Sequence, residues 1–140
     1  YYSFKGEFYD IPELKLCPTP SKAVPILIGG HSKLALKRAA RIGDGWISAG
    51  ITLDETKEFI DQINIFRKEY GTLDHPNYQF QVMGEAAYSP DGIKNLEDLG
   101  ATEVIVAFRN AYEGGKDERT LDGMIAEMNW YAEEVINKSR

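Results

Sequence analysis

Val24-Pro25-Ile26-Leu27-Ile28-Gly29-Gly30-His31-Ser32 carries the decisive pattern of this chain. A short apolar run rich in branched residues ends in two glycines and a polar turn. Such a run suits a parallel strand buried on both faces. Ser32 stands where it caps a following helix, and residues 33–42 supply one. Leu34, Ala35, Leu36, Ala39 and Ala40 are strong helix formers, mixed with Lys37, Arg38 and Arg41, and Gly43 is a natural stop. The unit therefore reads strand, glycine turn, helix.

The same unit recurs down the chain. Residues 45–49 read as a second strand ending near Gly50, and Thr52 with Glu55 has capping-box spacing for a helix to about Tyr70. Phe59, Ile60, Ile63, Phe66 and Tyr70 form its apolar stripe. Residues 78–88 read as a third strand. Ser89-Pro90 then opens a short helix that turns Ile93, Leu96 and Leu99 inward and stops at Gly100. Residues 102–108 read as a fourth strand. A polar, glycine-containing loop spans 109–119. A closing amphipathic helix carries Leu121, Met124, Ile125, Met128, Tyr131, Val135 and Ile136.

Upstream, residues 1–23 read as an extended segment or hairpin interrupted at Pro12, followed by a Pro-rich loop. Two parts are therefore expected: the lead-in over 1–23 and the repeated units over 24–140. Alternating strands and helices imply an α/β protein with a parallel sheet. Four such units are half of an eight-unit barrel, which needs about 250 residues. An open doubly wound sheet fits the alternation equally well, and periodicity does not choose between them.

Composition narrows the function. The 140 residues hold one core, and a net charge of -6 with intermixed signs argues against nucleic acid or an anionic membrane as the main partner. No apolar run approaches the roughly 20 residues that span a bilayer. Cys17, the single cysteine, forms no internal disulfide and gives no sign of an oxidising compartment, so a cytoplasmic location is expected. The opening residues 1–6 lack the basic and apolar regions of a secretion signal. They also lack an initiator methionine, for which processing and a cut within a longer chain are both explanations.

Pro25-Ile26-Leu27-Ile28-Gly29-Gly30-His31-Ser32, then residues 35–41 and Gly43-Asp44-Gly45-Trp46, resemble the bacterial-luciferase-like family. The stretch Phe4-Lys5-Gly6-Glu7-Phe8-Tyr9 and residues 100–106 extend the resemblance over nearly the whole chain. It implies the C-terminal half of a TIM (β/α)8 barrel, units five to eight, with the first four strands absent. It also implies an oxidoreductase that transfers hydride between the deazaflavin F420 and an organic substrate. The alternatives are an FMN-dependent monooxygenase, a noncatalytic phosphate-binding half-barrel, or an inactive self-associating fragment with no cofactor. Much of the redox site would lie outside this chain, so no catalytic residue is assigned. Pairing with a second copy or with the missing half is expected from exposed strand edges.

The candidate cofactor residues are Gly29, Gly30, His31, Ser32, Ala49, Gly50 and Arg109. Glycines between a strand and a helix permit close backbone approach, and helix-start amides hold phosphate. Each candidate has a plainer reading. The glycines make a tight turn, Ser32 only caps its helix, His31 is a solvated loop side chain, and Arg109 is a loop charge. Trp46 reads as packing rather than as a ligand platform. His31 and His75 are too isolated in sequence to form a metal site.

Overall fold

The computed structural model describes residues 1–109 and 118–139. The chain opens with an antiparallel hairpin, β1 (Tyr2–Lys5) and β2 (Asp10–Leu14), paired Tyr2 to Leu14, Phe4 to Ile11 and Lys5 to Asp10. Pro12 lies inside β2 rather than breaking it. A two-stranded ribbon has open edges on both strands, where proline is tolerated.

Four parallel strand-helix units follow. They are β3 (Leu27–Gly29) with α1 (Lys33–Ile42), β4 (Gly45–Ile47) with α2 (Leu53–Tyr70), β5 (Gln79–Val82) with α3 (Pro90–Asp98), and β6 (Glu103–Val104) with α4 (Leu121–Tyr131). The spatial order is β3-β4-β5-β6, identical to the chain order. That order settles what periodicity left open. Right-handed crossovers that always advance in one direction place every helix on the same face. A doubly wound sheet reverses direction and covers both faces. This arrangement is singly wound and partial-barrel-like.

Burial follows the same logic. Trp46, Phe80 and Val82 point toward the helices and are buried with Leu36, Ala39, Ile60, Ile63, Phe66 and Leu96. Their neighbours Leu27, Ile47, Gln79 and Gln81 face the other way and are only partly covered, and Glu103 is exposed. Each fully buried Leu36, Ile63 or Leu96 contributes about 1.5–3 kcal/mol of apolar transfer.

Helix boundaries are set by side chains that satisfy first-turn amides. Ser32 accepts from the Ala35 amide, Ser89 from Gly92 and Thr120 from Gly123. At α2 the Thr52 hydroxyl accepts from the Glu55 amide while Glu55 accepts from the Thr52 amide. These bonds hold the Glu55 carboxyl below its ordinary range, the backbone bond being the larger cause. The C-terminus of α2 is closed by Gly71 in the left-handed region and by Arg67. Arg67 donates to the carbonyls of Thr72 and Leu73 and lies over the Tyr78 ring, 3.9 Å from its centre.

The strands are shorter than the sequence suggests, for local reasons. In β3 the Ile26 amide is taken by the Asp44 carboxylate at 2.8 Å, so the ladder starts at Leu27. The expected strand over 78–88 ends at Val82 because the Ser48 hydroxyl accepts the Met83 amide, and Glu85–Tyr88 form a 3-10 turn. The last strand keeps only Glu103 and Val104. The closing helix passes into a π turn over Ala132–Ile136. Its stripe is only partly used: Tyr131 and Val135 are buried, whereas Leu121, Ile125, Met128 and Ile136 are exposed, as is Trp130 beside them in sequence. The part of the 109–119 loop at 110–117 lies outside the described residues. No described helix is long and apolar enough to cross a membrane.

Candidate functional site

The C-terminal ends of β3, β4 and β5 bring three turns side by side. Gly30, after β3, has φ +109°, and Gly50, after β4, has φ +64°. Both lie in the backbone region that L side chains avoid. A Cβ on Gly50 would meet nothing within 4 Å, so the space beside this turn is open. Gly29 has no such demand. Its added Cβ would make ordinary contact with Ile47 at 3.5 Å.

His31 joins the first two turns. Its Nε2 accepts the Ala49 amide at 3.4 Å, and its ring stacks on Phe59 of α2, 5.2 Å between centres and 10° from parallel. The side chain is exposed but not loose. Trp46 completes an aromatic trio with His31 and Phe59, and its indole N–H donates to the Gly30 carbonyl at 2.9 Å. Trp46 is fully buried, so packing is its role. The indole bond also fixes the orientation of the Gly30 peptide.

Ser32 spends its hydroxyl on the Ala35 amide at 3.3 Å. The amides of Lys33 and Leu34 precede the first intrahelical acceptor of α1 and remain available at its positive end. Asp44 holds the turn before β4 by accepting from the Ile26 amide, and lies 3.7 Å from His75.

The third turn is latched to the second. The buried Ser48 hydroxyl accepts from the Met83 amide at 3.0 Å, and the Ile51 amide donates to the Met83 carbonyl. Gly84 is required here, because a Cβ would come within 2.3 Å of the Ile51 carbonyl oxygen. Between the two turns lies a cleft of about 550 Å³ lined by Gly50, Ile51, Thr52, Leu53, Glu85 and Ala86. Of these, the sequence singled out only Gly50 as a ligand contact. Thr52 was legible only as a cap, and Glu85 fell inside the expected strand.

The fourth turn is tied to the third through Tyr88, whose hydroxyl donates to the Ala107 carbonyl at 2.7 Å and accepts the Ala107 amide. Arg109 lies just beyond, after β6. Because β3 and β6 are opposite edges of the sheet, β4 and β5 separate Arg109 from Gly30. The structure therefore gathers Gly29, Gly30, His31, Ser32, Ala49 and Gly50 on adjacent strand ends and sets Arg109 apart. No group of three or more potential metal ligands occurs among the described residues.

A ribityl phosphate fits the residues present. Two free helix-start amides adjoin a glycine turn, and the space by Gly50 is open.

The chain matches the family described as luciferase-like monooxygenase over residues 1–91. An uncharacterized protein of Mycobacterium tuberculosis and one of Mycobacterium bovis are each 42% identical to it over 138 residues. That alignment covers 99% of this chain and 47% of either relative. The chain thus spans about half the length of the curated relatives it matches. Pyrimidine monooxygenase RutA of Allorhizobium ampelinum is 36% identical over 55 residues, covering 39% of this chain and 15% of that protein.

These matches correct one expectation. The family match runs from the hairpin into the first turn of α3 and excludes β6 and α4. It begins at residue 1 and does not single out a C-terminal half of the family's barrel, so that placement is withdrawn. The names of these relatives specify no cofactor, and the family match by itself does not choose between F420 and FMN. What the comparison establishes rests on well over half of the residues, from the hairpin through both glycine turns: the chain belongs to the luciferase-like monooxygenase family.

Proposed function

We propose that this chain forms part of an FMN-dependent monooxygenase and supplies the pocket for the cofactor's phosphate. One observation carries the reading. The Gly30 and Gly50 turns lie on adjacent strand ends, joined by the His31–Ala49 bond and set beside the free first-turn amides of α1. Phosphate is held by such amides because they are fixed donors at the positive end of a helix dipole. Lys33 and Leu34 would donate, Gly30 would let the phosphate approach the backbone, and His31 would keep the Gly50 turn in place. The neighbouring cleft at Ile51, Leu53 and Ala86 would receive apolar parts of cofactor or substrate.

FMN is favoured over a deazaflavin on chemical grounds. The family description and the named relative both specify monooxygenases. When bound, reduced FMN supplies the electrons for oxygen chemistry, whereas a deazaflavin serves two-electron hydride transfer. The substrate is a small organic molecule. Cys17 is exposed and single, as suits a reducing cytoplasm. The uncovered sheet face and open strand edges favour association with a further polypeptide, a second copy included.

Titration with FMN and riboflavin tests the reading, followed by quenching of flavin fluorescence. FMN binds at least about tenfold more tightly if fixed amides hold its phosphate. Gly50→Asn, which tolerates the left-handed backbone and puts a side chain into the open space, removes that preference while far-UV circular dichroism is retained. Equal affinity for FMN and riboflavin would refute the phosphate site.

A further inference from the structure

We propose that the cleft between the second and third turns binds the ammonium end of a small apolar amine, and that Glu85 is the residue that selects it. Binding needs only the cleft; calling the amine the substrate rests on the monooxygenase reading above.

The walls are held from the interior of the sheet. β4 and β5 are each paired on both sides, so neither turn hangs on a sheet edge. The Ser48–Met83 and Ile51–Met83 bonds tie one wall to the other. The 3-10 turn that begins at Glu85 is fixed in three ways. The Ala87 amide donates to the Gly84 carbonyl, the Tyr131 hydroxyl donates to the Ala87 carbonyl, and the Tyr88 hydroxyl bridges to Ala107. A cleft set this firmly pays little ordering entropy when a ligand enters. Its volume, about 550 Å³, falls in the range that small-molecule sites occupy.

The lining decides what fits. Ile51, Leu53 and Ala86 are apolar, and Gly50 has no side chain. Thr52 is polar, but its groups are spent on Glu55. Its hydroxyl donates to the Glu55 carboxylate at 3.0 Å and accepts the Glu55 amide, and its own amide donates to the same carboxylate at 2.9 Å. Among the described lining residues, Glu85 is left as the polar side chain with no partner. An ionised carboxylate only accepts hydrogen bonds, so its complement is a donor.

The surrounding charge makes that donor a cation. Residues 50–56 and 84–93 hold Asp54, Glu55, Glu85 and Asp91 and no Lys, Arg or His. Asp54, Glu55 and Asp91 occupy the first turns of α2 and α3, where they offset the positive ends of those helices. The phosphate turn has the opposite character: α1 carries no acid in its first turn and begins with Lys33. Gly50 adjoins both places. One turn therefore separates a place suited to an anion from a cleft that repels one.

Titration of the 140-residue chain with benzylammonium and with benzyl alcohol, a neutral molecule of similar shape, tests the proposal. Amide NMR shifts give both affinity and location, and no flavin is added. Benzylammonium should bind about fivefold more tightly, the upper end for one exposed ion pair, with the largest shifts at Gly50, Ile51 and Ala86. Glu85→Gln should bring the two probes level. Glu69→Gln, an equal loss of charge at an exposed position of α2, should leave the preference as it was. Added salt should narrow the gap in the parent and change nothing in Glu85→Gln. Equal affinity in the parent, no binding of either probe, shifts centred elsewhere, or a preference that survives Glu85→Gln would each overturn the proposal. Failure of the phosphate site would appear only as equal affinity for FMN and riboflavin, and leaves the amine result standing.

Discussion

Replacing Ser48 with alanine isolates the latch between the second and third turns. Ser48 is 3% exposed, and its hydroxyl is the acceptor for the Met83 amide at 3.0 Å. Alanine fits the space but leaves that amide without a partner. An orphaned, largely buried donor costs about 1–3 kcal/mol. Unfolding entropy scales at about 2.1 cal/mol/K per residue, so each kcal/mol shifts the midpoint by about 3 °C in a chain of this size. The expected loss is therefore about 3–10 °C in a thermal melt followed by far-UV circular dichroism. Both proteins must be compared at one concentration, because association makes the midpoint concentration-dependent. Hydrogen exchange supplies the local readout: the Met83 amide loses protection while amides in α1 keep theirs. Ser21→Ala serves as the control, since Ser21 is exposed in the loop before β3 and such changes stay within about 0.5 kcal/mol. A melt of Ser48→Ala within 1 °C of the parent, with Met83 still protected, would refute the latch and the account of why β5 ends at Val82.

Three further outcomes follow from groups described above. The Glu55 carboxyl is held low by its bonds to Thr52, so its contribution is present above the ordinary glutamate range and is lost as pH falls through the depressed folded value. The stability difference between parent and Glu55→Gln should therefore shrink in acid, as denaturation at pH 7 and pH 3 would show. Burial pushes the Tyr78 phenol up to about 12. Stability that is full below pH 10 should fall as pH rises toward about 12, and Tyr78→Phe should blunt that alkaline loss with little cost at neutral pH, because the buried hydroxyl has no hydrogen-bond partner. Tyr131→Phe should lower stability by about 1 kcal/mol in urea titration, since the Tyr131 hydroxyl donates to the Ala87 carbonyl at 2.8 Å in a buried setting.

The elements that were legible in the sequence are those governed by local chemistry. Ser32, the Thr52–Glu55 pair, Ser89-Pro90 and Gly43 each set a helix end where the residue type says it should be. The interior stripe Ile60, Ile63 and Phe66 was equally plain. Strand ends were not, because they depend on partners distant in sequence. Ser48 reaches across 35 positions to stop β5, and Asp44 reaches back 18 to delay β3. Sheet order was invisible for the same reason, since strand-helix alternation is common to both windings.

In the candidate site, the two glycine turns were visible but their coupling was not. Nothing local announces that His31 will stack on Phe59 or accept the Ala49 amide. Gly84 and Gly92 carry demands that only packing reveals. A Cβ on Gly92 would come 2.0 Å from the Ala86 carbonyl oxygen, so α3 is pressed directly against the 3-10 turn that borders the cleft.

The indole of Trp46 gives the molecule an optical gauge at the place where it matters. Only two tryptophans are present, Trp46 wholly enclosed and Trp130 half exposed. Their emission should separate into a blue and a red component, and only the blue one belongs to an indole bonded to the Gly30 carbonyl. An anion settling on that turn would perturb the shorter-wavelength band and leave the longer one still. Trp130 is half exposed on α4, so contact with a further polypeptide there would move the red band instead. Occupancy and assembly can thus be followed as two colours in one unlabelled sample.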